Sequence, residues 1–222
     1  MVGNPVQTAR IYNSRGVDEL VFLDIFATEQ DRNLNLKLVS EVIKECFMPV
    51  SIGGGIKSLE DINDLLKIGA DKVVIKTMAL KDPKFIKDAV LFFGSQCISI
   101  AIDVIFKDQE YVIKTGPNFD EMNLTDFLNS MEDCDVGEYL LCSTDDDGMM
   151  NGFNIELVDY VSKLTNKPII AIGGAGKPEH FVTLFETTNI EAAASSSIYH
   201  FTQYTPQDVK NSLKTRGFNV RL

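Results

Sequence analysis

Two short glycine runs carry the clearest chemical signal in the chain. Gly53, Gly54 and Gly55 lie in PVSIGGGIKS (49–58), and Gly173 and Gly174 lie in PIIAIGGAGK (168–177). Each run ends an apolar segment and opens onto a helical pattern. A glycine turn at that junction lets backbone N–H groups approach a ligand closely, and the following helix adds the positive end of its dipole. Phosphate is the anion such a place suits. A lone glycine run could be nothing more than a tight strand-to-helix turn. Two in equivalent settings predict two phosphate sites, on opposite sides of one barrel mouth, and a substrate with a phosphate at each end.

The elements that must position these turns alternate along the chain. ELVFLDI (19–25), MPVSIGG (48–54), DKVVIKT (71–77), QCISIAIDV (96–104), EYLLCST (138–144), KPIIAIGG (167–174) and EAAASSS (191–197) read as strands. They are apolar almost throughout, as parallel strands covered by helices are. Helical patterns lie between them, among them LKLVSEVIKECF (36–47) and SLEDINDLLKIG (58–69). The latter opens with a capping-box pair, Ser58 and Asp61, and stops at Gly69.

An internal repeat selects the architecture. VDELVFLDI (17–25) corresponds to VGEYLLCST (136–144), and PVSIGGGIKSLED (49–61) to PIIAIGGAGKPEH (168–180). GADKVVIKTMA (69–79) corresponds more loosely to IEAAASSSIYH (190–200), all at an offset of about 119 to 121 positions. Two homologous βα halves, roughly 1–95 and 96–222, predict a single α/β domain spanning 1–222 with the (β/α)8 barrel fold. Seven strands are read rather than eight. The equivalent of the Asp103 strand would fall before Met1, so the first barrel strand is expected to be missing from this chain.

The 222 residues are 45% hydrophobic and 24% charged, an ordinary globular composition. A formal charge of −11 excludes a nucleic-acid binder that works by neutralising phosphates with Lys and Arg. Cys46, Cys97, Cys134 and Cys142 form no C-x-x-C pair, and His180 and His200 stand apart, so neither a metal site nor a disulfide framework is expected. No membrane span and no signal peptide are read, which predicts a soluble cytoplasmic protein.

DELVFLDI, GGGIKSLED, GADKVVI, FGSQCISIAID, GGAGKPEHF and FNVRL, in this order, closely resemble the cyclase family of imidazole glycerol phosphate synthases. The resemblance runs from Gly3 to the C-terminus. It implies a barrel enzyme of histidine biosynthesis with no cofactor, paired as a heterodimer with a glutaminase that supplies ammonia. The implied substrate is a bis-phosphorylated formimino-aminoimidazole carboxamide ribulotide. Its products are imidazole glycerol phosphate and an aminoimidazole carboxamide ribotide.

Residue roles follow from the same resemblance. Asp103, closing AID, matches a catalytic aspartate whose carboxylate serves the proton transfers of ring closure; a helix cap would be its ordinary role. Its partner aspartate would lie on the missing strand. Asp24 is expected at the same mouth. Gly53, Gly54, Gly55, Lys76 and Thr77 resemble one phosphate site, and Gly173, Gly174, Ser196 and Ser197 the other. Asp147 and Gly148, in STDDDG, match a substrate-contacting loop that could otherwise be a solvated acidic turn. At the opposite strand ends Glu19, Lys72 and Glu138 match a charged ring gating ammonia, and Asp71 a contact to the glutaminase. His180 and His200 are read as structural.

The chain also departs from that family's pattern. Asp146 and Met149 stand where an Arg and a Thr are usual, Lys76 replaces an Asn, and Ile172 replaces a Ser. The segment 114–127 lacks the usual basic loop. An Asp for an Arg beside a bis-phosphate is unfavourable by Coulomb's law. Such changes, with ECFMPV (45–50) and HFTQYTPQDVK (200–210), leave a second reading open: a paralogue that delivers ammonia for amidination of a surface-polysaccharide amino sugar. A non-catalytic barrel acting as a scaffold for the glutaminase is a third, and a single-chain sugar-phosphate isomerase a weaker fourth.

Overall fold

The computed structural model describes residues 3–114 and 121–221. The elements are α1 (Pro5–Ser14), β1 (Leu20–Leu23), α2 (Leu36–Ile43), β2 (Val50–Gly53), α3 (Leu59–Lys67), β3 (Lys72–Ile75), α4 (Thr77–Lys81) and α5 (Pro83–Phe93). They continue with β4 (Ile98–Lys107), β5 (Glu110–Ile113), β6 (Met122–Asn123), α6 (Leu124–Met131), β7 (Glu138–Ser143) and α7 (Ile155–Ser162). The last are β8 (Ile169–Ile172), α8 (Pro178–Thr187), β9 (Ala192–Ala194), α9 (Ser197–Phe201) and α10 (Pro206–Thr215). Every expected strand forms, a residue or two shorter at most ends. The alternation and the parallel pairing are those of the (β/α)8 class.

The chain divides into two compact units. The first runs to Ile100 and includes Cys134–Gly137; the second holds Ala101–Asp133 and Glu138–Leu222. The division falls inside β4, a few residues beyond the 95/96 boundary expected from the repeat.

In the first unit β1, β2, β3 and the start of β4 pair in parallel, with Leu23 opposite Gly53, Gly53 opposite Val74, and Val74 opposite Ser99. Period-2 alternation sends Val50, Ile52, Val73, Ile75, Ile98 and Ile100 to the opposite, fully covered face. Helix starts are fixed by the sequence. Asn35 accepts the Leu38 N–H at 3.1 Å, Ser58 and Asp61 form the expected capping box, and Pro83 occupies the first turn of α5 behind the Asp82 cap.

In the second unit β7, β8 and β9 are parallel, and the Thr144 N–H donates to the Val104 carbonyl, tying β7 to β4. Tyr139, Leu141, Ile169 and Ala171 fill the covered side, and α10 packs on α8. An antiparallel excursion departs from the purely parallel expectation. β4 overruns its neighbours, turns at Asp108 and Gln109, and pairs with β5, which pairs with β6. Both turn residues have positive φ, 50° and 68°, the backbone of a two-residue hairpin whose twist matches its strands. Neither is Gly or Asn, which is why the turn did not stand out in the sequence. The stack of Phe106 on Tyr111 and Tyr111 on Tyr160 anchors the excursion to α7.

Candidate functional site

In the first unit the glycine turn is enclosed by the loop that follows β1. The Asp24 N–H donates to the Gly53 carbonyl at 2.9 Å, and the Asp24 carboxylate takes a two-pronged bond from Arg32 at 2.6 and 2.8 Å. That bond, with the Phe26 N–H as a further donor, holds the Asp24 carboxyl below its usual range. The loop is thereby curled over the turn. A Cβ built on Gly54 would stand 2.3 Å from the Asp24 carbonyl oxygen, and one on Gly53 2.6 Å from that of Val74. Gly54 and Gly55 both have positive φ. Lys57 pairs with Asp31 of the same loop. At the end of neighbouring β3, Lys76 precedes and Thr77 opens the one-turn helix α4, which has no side-chain cap.

The second unit repeats this construction. Gly173 and Gly174 have φ of 95° and 89°. A Cβ on Gly173 would meet the carbonyl oxygen of Ser143, the repeat equivalent of Asp24, at 3.0 Å. One on Gly174 would lie 1.9 Å from the Gly152 carbonyl oxygen, and the Gly152 N–H donates to Gly174 at 2.8 Å. Asn154 caps α7 through the Leu157 N–H at 2.9 Å, as its equivalent Asn35 caps α2. Ser196 precedes and Ser197 opens α9, a five-residue helix without a side-chain cap, like α4.

Asp146, the acid expected to oppose a phosphate, is engaged inside its own loop. Its carboxylate accepts the Ser143 hydroxyl and, at 2.9 Å, the Asn154 amide. Asp145 accepts the Phe106 N–H at 3.0 Å. Asp147 is exposed beside the turn: its Cα is 3.4 Å from where a Gly173 Cβ would be, and its N–H donates to Ser143. Gly148 follows it in the open. Asp103 lies half-buried on β4, on the strand face it shares with Ala101, and its carbonyl accepts the Lys114 N–H at 2.7 Å. Residues 115–120 of the segment expected to lack a basic loop are outside the described residues.

At the other strand ends, Lys72 Nζ meets the Glu19 carboxylate at 3.1 Å, with the lysine mostly covered. Lys72 shares its strand face with Val74. Asp71 Oδ2 accepts the Val50 N–H at 2.8 Å, extending the β2–β3 ladder by a side chain. In the second unit Glu138 begins β7 on the face that carries Leu140 and Cys142.

The first unit thus gathers Asp24 and Gly53–Gly55 at strand C-terminal ends, with Lys76 and Thr77 after β3. The second does the same for Asp147, Gly148, Gly173, Gly174, Ser196 and Ser197. Two contributors escaped the sequence reading. Arg32 organises the first loop, and only its distance from Asp24 along a glycine-poor loop could have suggested it. Thr144 carries a buried hydroxyl without a hydrogen-bond partner, next to the STDDDG loop.

The comparisons agree with this geometry. The model of a family described as histidine biosynthesis protein matches residues 1–205. A protein of Staphylococcus saprophyticus named imidazole glycerol phosphate synthase subunit HisF is 43% identical over 99% of this chain and 89% of its own length. A protein of the same name from Clostridium botulinum is 42% identical over 100% of this chain and 89% of its own length. One from Staphylococcus aureus is 42% identical over 99% of this chain and 89% of its own. Among the described residues no helix is long and apolar enough to cross a membrane. With its parallel β/α halves, its duplicated glycine turn and relatives of one name along nearly all its length, the chain belongs to the histidine biosynthesis protein family, as an enzyme subunit of that pathway.

Proposed function

We propose that the chain is a lyase-type cyclase subunit of imidazole glycerol phosphate synthase. It takes ammonia from a glutaminase subunit and closes the imidazole ring of a bis-phosphorylated formimino-aminoimidazole carboxamide substrate, releasing imidazole glycerol phosphate and an aminoimidazole carboxamide ribotide. The observation that carries this reading is the duplicated glycine turn, built twice with the same left-handed backbone pair and the same loop contact. Each turn takes one phosphate: Gly53, Gly54, Gly55, Lys76 and Thr77 hold the first, with Lys76 adding a cation, and Gly173, Gly174, Ser196 and Ser197 hold the second. Asp24 orders the first cradle through Arg32, and Asp147 and Gly148 contact the substrate from the loop after β7.

Asp103 is the catalytic acid–base. It lies just past the middle of β4, half-buried on the face opposite Ile102 and Val104, a position from which its carboxylate moves protons on bound substrate. The Lys72–Glu19 pair in the first unit, and Glu138 in the second, are assigned to ammonia gating, and Asp71 to the contact with the partner. The histidine-pathway names of the relatives favour this reading over the amino-sugar and scaffold alternatives, and the bonds from Ser143 and Asn154 hold the Asp146 carboxylate within its own loop. The test is ammonia-dependent turnover of the bis-phosphate by the chain and by Asp103→Asn. The variant should keep KM within about threefold and lose about 10²- to 10⁴-fold in kcat. Turnover left unchanged in the variant would remove Asp103 from the chemistry.

A further inference from the structure

The two glycine turns are braced by the same hydrogen bond made with different chemistry. In the first unit the Lys57 N–H donates to Asp61 Oδ2 at 2.9 Å, and Asp61 stands in the first turn of α3. In the second the Gly176 N–H donates to His180 Nδ1 at 3.1 Å, and His180 stands in the first turn of α8. Lys57 and Gly176 are equivalent positions of the repeat, as are Asp61 and His180. An N–H can donate into Nδ1 only while the imidazole is neutral, with its proton on Nε2. The ring also lies against Gly152, whose own N–H holds the Gly174 carbonyl; a Cβ on Gly152 would be 3.9 Å from the ring.

We infer that His180 is a positioning residue for the second glycine turn and makes the geometry of that turn, but not of the first, depend on pH on the acidic side of neutrality. Protonation puts a second N–H where the Gly176 N–H now points, so the bond is lost and the segment 173–176 is released from its helix. A carboxylate acceptor survives to much lower pH than an imidazole does. The ionisable groups around the ring are Lys177, which opposes its protonation, and Glu179, which favours it. The loop packed on it contributes Gly152, while Asp145 and Asp146 of that loop are bonded to Phe106 and to Ser143 and Asn154, and Asp147 faces solvent. Burial is the largest influence and holds the His180 pKa below 6.5, so the brace is whole above that value and is lost as pH falls through the lowered one.

The effect on ligand rests on the assignment of phosphate to the turns; the brace itself does not. The experiment follows the backbone amides of the full chain by NMR from pH 8 to pH 5, with and without inorganic phosphate, beside His180→Gln, whose amide oxygen accepts without titrating. Gly173, Gly174 and Gly176 should shift together with the midpoint of the His180 ring, Gly54 and Gly55 should not, and the variant should lose that midpoint. Phosphate affinity at the second turn should fall about fivefold more than at the first over this range, the worth of one hydrogen bond, and the variant should erase the difference. The second ionisation of phosphate acts alike on both turns and cancels in the comparison. Ring titration without movement of the three glycine amides, or a midpoint that persists in the variant, would overturn the inference. Glycine amides that follow His180 while neither turn binds phosphate would support the brace and sink the phosphate assignment instead.

Discussion

Gly174→Ala is the substitution that most directly probes why these turns are built from glycine. The new Cβ would stand 1.9 Å from the Gly152 carbonyl oxygen, at a φ of 89°. A left-handed backbone costs an L-residue about 1–2 kcal/mol. The clash is with backbone, so it is relieved only by pushing the 150–152 segment away, which breaks the 2.8 Å bond from the Gly152 N–H. That bond is worth about 1 kcal/mol net, and the whole change should destabilise the chain by about 2–4 kcal/mol. Urea unfolding at neutral pH measures it as a shift in midpoint at unchanged slope. Gly148→Ala is the control: φ is 77°, but nothing lies within 4 Å of its Cβ position, so backbone strain of about 1–2 kcal/mol is all it should cost. Equal losses in the two variants would refute the argument that contact with the loop, rather than backbone sign, fixes Gly174.

Two further outcomes test the loops. Arg32→Ala should weaken the chain above about pH 4 and leave it little changed in acid. The Asp24 carboxyl is held low by Arg32, so its contribution is present above the unfolded carboxylate range and lost as pH falls through the lowered value; urea midpoints from pH 3 to pH 7 would show the two proteins converging. Thr144→Val should stabilise the ligand-free chain by about 1 kcal/mol, because it replaces an unpaired buried hydroxyl with a methyl of the same shape. A thermal melt reads the gain, and a loss in its place would mean the hydroxyl is hydrogen-bonded after all.

Much of the fold was open to reading because the signals were local. The seven apolar runs, the Ser58–Asp61 box and the stop at Gly69 each describe a short stretch of backbone, and each forms where its residues indicate. The β4–β5 hairpin was missed because its turn residues, Asp108 and Gln109, take a left-handed backbone that glycine normally announces. At the site, the glycines and the strand-end acids were identifiable by type and position. What each acid bonds was not. Asp24 reads as a mouth residue and is also gripped by Arg32, and Asp71 reads as a partner contact and also extends a strand ladder. Asp146 reads as a charge facing the ligand but satisfies Ser143 and Asn154. Direction of a side chain depends on neighbours distant in sequence, and a motif contains none of them.

The repeat separates what the turns require from what merely serves them. At Gly54 the carbonyl of Asp24, the residue after β1, lies 2.3 Å from where a side chain would begin, and at Gly173 the carbonyl of Ser143, the last residue of β7, lies 3.0 Å from it. Positive φ at both positions disfavours a side chain in each half, and the contact adds most at Gly54. The supporting groups face a looser demand. The turn N–H needs an acceptor, and a carboxylate in one half and an imidazole in the other both supply it. The strand-end residue needs a polar tie to its loop, and Asp24 with Arg32 or Ser143 with Asp146 and Asn154 both supply that. A geometric constraint admits one answer and a hydrogen-bond constraint admits several. The second kind is therefore where two copies of one construction can acquire different responses to pH while holding the same shape of ligand.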